Sequence, residues 1–273
     1  MKFLLKCSVK SLGNIFVGSV FLFTCLNVQA KIWLPSILSD SMVLQQDSEA
    51  TIWGWTTGVS EKISVTGSWN NEKVTVEAYQ GKWSLKLPTP KAGGPYTITI
   101  EGHEKIVLSN VLVGEVWLCS GQSNMEWTPL HGLDNAEEEI ANSTYSNIRF
   151  FSVPKHISKH PQDDSFGEWV DSSPETMKKF SSVGYFFGRR LHKDLDVPIG
   201  LINSSWGGTN VEVWIPKEVI QQEQALVKSM DRINEVAWWP RNEALAYNAM
   251  IHPLVNFEVA GSIWYQGESN RMN

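Results

Sequence analysis

Cysteine is scarce, and its distribution excludes a disulfide framework. Of the three, Cys7 and Cys25 fall within the first thirty residues, and Cys119 stands alone beyond them. Once that leader is removed no intramolecular disulfide can form, so stability must come from packing. Cys119 follows Val116-Trp117-Leu118 with no basic neighbour, which predicts a buried structural thiol and not a reactive one. No apolar run reaches the ~20 residues needed to span a bilayer. The stretch Ile15 to Cys25 is mostly apolar, follows Lys2, Lys6 and Lys10, and leads to Val28-Gln29-Ala30, with small residues at the positions a signal peptidase accepts. Residues 1–30 therefore read as a signal peptide cleaved before Lys31, giving a secreted or periplasmic chain with no stable membrane insertion. A lipid anchor on Cys25 is the weaker reading, because Phe23-Thr24 replaces the small residues expected before it. Basic clusters are also missing, and loss of the three leader lysines moves the net charge from −6 to −9. That excludes nucleic acid as a partner. No His, Cys or Asp cluster has ligand spacing, so neither a metal nor another cofactor is expected. Internal repeats and low-complexity segments are absent as well, and nothing in the sequence fixes an oligomeric state.

The chain does have enough apolar residues for a large core: 42% of 273 residues are hydrophobic, enough for one large domain or two smaller ones. Its 13 Trp serve either as stacking surfaces for sugars or, more plainly, as core packing. From Lys31 to about Asn110 short alternating runs lie between Gly, Pro, Asn and Ser. They are Thr51–Trp55, Lys62–Thr66, Lys73–Glu77, Lys82–Leu87 and Tyr96–Ile100, and strands so spaced predict a small β-sandwich domain over residues 31–110. It binds carbohydrate, through Trp53, Trp55 or Trp69, or it is a spacer packed on the next domain; fold alone does not choose. From residue 111 to 273 apolar strands alternate with helical stretches. Helices are predicted over Leu133–Asn142, Pro174–Leu195, Pro216–Val236 and Asn242–Phe257, and strands over Asn147–Val153, Val197–Asn203 and Gly261–Tyr265. In the second helix Phe180, Val183, Phe187 and Leu191 share one face. This order predicts a three-layer α/β domain with a largely parallel sheet, and the irregular segment Thr128–Pro174 reads as a loop over the site.

The sharpest local feature is GEVWLCSGQSNMEW, residues 114–127, where a strand empties into small polar residues. Ser123 then lies just past the carboxyl end of a parallel strand, where such sheets place ligands. By itself such a serine is a helix N-cap, and it lacks the Gly-x-Ser-x-Gly elbow because Met125 holds the last position. Two further strands end similarly. Ile199–Asn203 runs into Ser204-Ser205-Trp206-Gly207-Gly208-Thr209, and Ser262–Tyr265 into Gln266-Gly267-Glu268-Ser269-Asn270. Each alone is a tight turn. Together they supply a hydroxyl, glycine N–H groups open to close approach and an amide donor, which an acyl-transfer site needs to hold an oxyanion.

The motifs GQSNM (121–125), SSWGGTNVEVW (204–214) and WYQGESN (264–270), in this order and spacing, resemble those of sialate O-acetylesterases and the related carbohydrate esterase family 6, of the SGNH-hydrolase-like group. The likeness extends to the N-terminal β region. It implies that Ser123 is the nucleophile and that the N–H groups of Ser123 and of Gly207 or Gly208, with Gln266, form the oxyanion hole. It further implies that Glu268 and Asn124 give supporting hydrogen bonds, and that the substrate is an O-acetylated sugar or glycan. Members of the family draw their general base from a downstream Asp-x-x-His-Pro motif, which this sequence lacks. His160-Pro161 and His252-Pro253 have Ile157 and Ala249 where the Asp would stand, and the other four histidines have no acidic partner at a telling spacing. The expectation is an N-terminal portion of a longer frame, nearly inactive and poorly stable alone, since a serine without its base is a weak nucleophile. An acetyl xylan esterase and a catalytically incomplete carbohydrate-binding fragment are the alternative readings.

Overall fold

A computed structural model describes residues 30–233 and 238–271. Residues 1–29 of the expected signal peptide, and the end of the helix expected to reach Val236, lie outside the described residues.

The described residues form twelve strands: β1 Ile32–Trp33, β2 Val43–Gln45, β3 Glu49–Thr56, β4 Lys62–Gly67, β5 Lys73–Glu77, β6 Lys82–Pro88, β7 Gly93–Glu101, β8 Lys105–Gly121, β9 Tyr145–Ser152, β10 Trp169–Ser172, β11 Ile199–Ser205 and β12 Gly261–Tyr265. Their alternation follows the side-chain chemistry. In β6, Trp83, Leu85 and Leu87 point to the core while Lys82, Ser84 and Lys86 face out. β1, β3 and β6 make one antiparallel sheet. The second, larger sheet runs β10-β9-β11-β8-β7-β4-β5, with β2 and β12 also paired to β8. It is a mixed sheet: β7, β4 and β5 are antiparallel, whereas β2, β11 and β12 run parallel to β8 and β9 parallel to β11. The expected division between residues 110 and 111 falls inside β8, which continues through it for 17 residues. The fold class is mixed α/β.

Helices among the described residues are few and short: α1 Ser123–Glu126, α2 Ala136–Ala141, α3 Pro174–Met177, α4 Ser182–Leu195, α5 Lys217–Gln222 and α6 Gln224–Met230. The single helix expected over Pro174–Leu195 is two: α3 ends at Met177 with Lys178 as its C-cap, and Ser181 starts α4 by accepting from the Gly184 N–H at 3.0 Å. The inward side of α4 is Gly184, Tyr185 and Gly188, while Val183 is exposed. Asn242–Phe257 is not a regular helix. A π-turn, Tyr247–Ile251, passes into a 3₁₀ turn at His252–Leu254, where Pro253 has no N–H to continue an α-helical ladder. The segment read as irregular contains β10, too short at four residues to show a period.

Two clusters of buried side chains hold the fold. The first joins the β1-β3-β6 sheet to the β7-β4 side of the large sheet through Ile52, Trp83, Leu85, Ile63, Val65 and Ile98, and continues to Phe151, Ile202 and Leu254. The second lies on the opposite face of β9 and β11 and packs Phe150, Leu201 and Ile199 against Phe180 and Tyr185. Phe150 and Phe180 stack at 4.1 Å. Cys119 belongs here, fully buried, its thiol pushed up to about 12 by desolvation, which accords with an inert structural role. Arg149, 3% exposed, links three regions. It donates to the Ser41 and Ser146 carbonyls at 3.0 and 3.1 Å and pairs with Asp171 at 2.9 Å.

Replacement of Arg149 by Met should preserve the apolar stem and leave those carbonyls without donors. Charge-assisted hydrogen bonds of this kind contribute about 1.5–3 kcal/mol each, so a lowered urea midpoint with unchanged slope is expected, corresponding to a loss of at least ~2 kcal/mol.

Candidate functional site

Parallel pairing brings three strand ends to one edge, with Ser205 opposite Gly121 on one side of β8 and Tyr265 opposite Gly121 on the other. The crossing there is tight: Gly121 has φ +137, and a Cβ on it would lie 2.2 Å from the Tyr265 carbonyl oxygen. Only glycine fits that combination. The next residue fastens the three motifs together. The Gln122 N–H donates to Tyr265 O at 3.0 Å, and its buried side-chain oxygen accepts from the N–H groups of Gly267 and Ser269 at 3.4 and 3.2 Å. The Trp206 N–H donates to Gly121 O at 3.0 Å.

Ser123 opens α1 and lines a cavity of about 490 Å³ with Gly207, Gly208 and Glu268. Gly207 abuts the serine, since a Cβ on Gly207 would stand 3.3 Å from that of Ser123. Its N–H donates to the Glu126 carboxylate, whose other oxygen is held by Lys155. An anionic oxygen thus already occupies the donor that the sequence assigned to an oxyanion. Gly208, at φ +77, lies under the Trp239 ring. Asn124 donates to Glu268, tying α1 to the third motif. Gln266 is placed differently: its amide donates to Asn270 Oδ1 and weakly to Thr209 O, and it does not line the cavity.

Several residues of this region were not singled out in the sequence. Glu212 is 1% exposed and accepts from Asn270 at 2.9 and 3.2 Å, from Asn210 at 2.8 Å and from Ser229. Burial raises its carboxyl, but the donors of Ser229, Asn210 and Asn270 outweigh this and hold it below the ordinary glutamate value. The available signal was a lone acid between Val211, Val213 and Trp214. Trp127 and Trp206, inside the first and second motifs, also line the cavity, as do Trp239, Lys155 and Arg241, whose distance from the motifs along the chain concealed them. His131 lines it too and stacks on Trp127. Its Nδ1 accepts from the Thr128 N–H at 3.2 Å. His160 and His252 do not line this cavity, and among the described residues no histidine is hydrogen-bonded to Ser123. Among the described residues no group of three or more His, Cys, Asp or Glu is placed to hold a metal ion.

Residues 113–273 match the family described as carbohydrate esterase, sialic acid-specific acetylesterase. Sialate O-acetylesterases of Pongo abelii and Homo sapiens are 36% and 35% identical to this chain over 255 and 254 residues, 86% of this chain and 48% of each relative. A carbohydrate acetylesterase from Xanthomonas citri matches in structure with a TM-score of 0.76 at 36% identity, over 88% of this chain and 52% of that one. The chain spans about half the length of these relatives.

The depressed Glu212 carboxyl predicts an acid-side loss of stability. Its contribution is complete above the ordinary glutamate value of 4.5 and disappears as the pH falls through the lower folded-state value. Glu212→Gln should lower the urea midpoint at pH 7, and the difference from the wild type should narrow on titration from pH 5 to pH 2. A constant difference would show that the charge is not what matters.

Proposed function

This chain belongs to the sialic acid-specific acetylesterase family of carbohydrate esterases, and from that premise we propose that it hydrolyses an O-acetyl ester of a sugar, with Ser123 as nucleophile and no metal. The observation that carries the reading is the seat of Ser123 at the joined ends of β8, β11 and β12, packed against Gly207 in one cavity. In the reaction the Ser123 Oγ–carbonyl bond forms, the carbonyl π electrons move to oxygen, and the serine proton passes to a base. Collapse breaks the bond to the sugar oxygen, which takes up that proton. Water then repeats the sequence on the acetyl-enzyme and frees acetate. The N–H groups of Ser123, Gly207 and Gly208 stabilise the oxyanion. For Gly207 to do so the Glu126 carboxylate must withdraw, and Lys155 is the cation positioned to keep it.

An acidic sugar is the preferred substrate in this reading, and acetylated xylan the alternative. The Arg241 guanidinium lies 5.8 Å from the Trp239 ring centre at the cavity wall, without a carboxylate partner among the described residues and with its Nε buried and unbonded. A sugar carboxylate would supply the missing acceptor; a neutral xylose unit would not. The wider architecture fits a three-layer SGNH-like domain built on a β-sandwich at residues 31–110. Residues 1–30 are read as a signal peptide, so the protein acts outside the cytoplasm.

Assayed on O-acetylated N-acetylneuraminic acid, the full-length protein should release acetate, and Ser123→Ala should abolish release without altering the thermal unfolding curve. Undiminished turnover in that variant would remove Ser123 from the mechanism. Arg241→Gln should raise KM for the acidic substrate by about 10- to 100-fold, the loss of one charged hydrogen bond, and leave an acetylated xylo-oligosaccharide unaffected. Equal effects on both substrates would remove Arg241 as the carboxylate anchor.

A further inference from the structure

A second cavity, of about 390 Å³, lies on the outward face of the β1-β3-β6 sheet and shares no lining residue with the Ser123 cavity. Its floor is aromatic by strand geometry. Trp53 and Trp55 are two apart on β3 and so lie on one face, and Trp33, paired with Trp55 in register, stacks on it at 6.2 Å and 19°. Opposite Trp53 and Trp55 on β6 stand Ser84 and Lys82. Tyr79, 75% exposed, projects from the turn before β6 and lines the same space. The far wall comes from the other half of the chain, through Asp163 and Asn256, and the Lys82–Asp163 pair at 3.2 Å closes the rim.

The chemistry of this space is specific. Tyr79 is exposed and Trp55 half-buried at this cavity, while Trp53 beside them is buried, and the exposed Ser84 hydroxyl and Asn256 amide have no hydrogen-bond partner among the described residues. An apolar platform bordered by unused donors and acceptors matches a pyranose, whose C–H face covers an aromatic ring while its hydroxyls reach sideways. The Lys82 and Asp163 charges neutralise each other, so nothing here selects an anion. The remaining indole of the N-terminal strands that the sequence singled out, Trp69, is used structurally: it donates to Pro88 O and packs edge-on against Tyr96.

We propose that this cavity binds a neutral pyranose unit of a glycan, at a site separate from the Ser123 cavity. At the efficiency of ordinary small ligands, a single methyl hexoside should bind with a dissociation constant on the order of 1 mM. The test is a titration of the purified protein with methyl β-D-galactopyranoside and methyl β-D-glucopyranoside, read by saturation-transfer NMR and calorimetry. Saturable binding of at least one glycoside is expected, weakened tenfold or more by Tyr79→Ala and by Trp55→Ala, and unchanged by Ser123→Ala or by excess N-acetylneuraminic acid. Tyr79 is exposed, so its variant keeps the test valid even if Trp55→Ala fails to fold. Absence of saturation well above 1 mM would overturn the proposal, as would binding indifferent to Tyr79→Ala or binding displaced by N-acetylneuraminic acid.

Discussion

A strand has two hydrogen-bonding edges, and β8 pairs through both over Trp117–Gly121. Its first half pairs with β7 and then β2, its second with β11 and β12. At ~3.3 Å per residue, seventeen residues carry this backbone from one hydrophobic core to the other with no linker between. The consequence for chemistry is positional. Whatever fixes β8 among the N-terminal strands also fixes where Gly121 ends and where Ser123 begins.

Charge is managed differently at the two levels of the site. Deep under the second and third motifs, Glu212 is kept ionised by three side chains that donate to it, a network whose value lies in fixing loop positions, because a buried carboxylate tolerates few alternative arrangements. Nearer the opening, Glu126 is partly exposed and shared between Lys155 and the Gly207 N–H, an arrangement that costs little to rearrange. The scaffold is therefore stiff below and adjustable at the surface where an ester would enter.

Much of the architecture was readable from pattern alone. β5 and β12 have the bounds expected from alternation, Lys73–Glu77 and Gly261–Tyr265, because cross-strand pairing and side-chain period agree there. The ends of β8, β11 and β12 meet at one edge as their polar terminations implied. Reading failed where non-local contacts decide. Asn242–Phe257 has helical periodicity, but Pro253 and the partners of His252 and Asn248 in the 158–162 segment impose a π-turn. Arg241, Trp239 and Lys155 reach the cavity from loops without motifs, so no local signal marked them.

The Gln122 side chain, described above as fastening the third motif, also bears on the order of events in folding. Its contacts to Gly267 and Ser269 close loops of 145 and 147 residues, whereas the hairpins among β3 to β8 close locally. Loop closure opposes long-range contacts before they stabilise anything. Contacts of this span are expected to form after the local hairpins and to be lost before them. Loss of ligand binding on warming or in mild denaturant should precede the cooperative transition of the strands beneath the cavity.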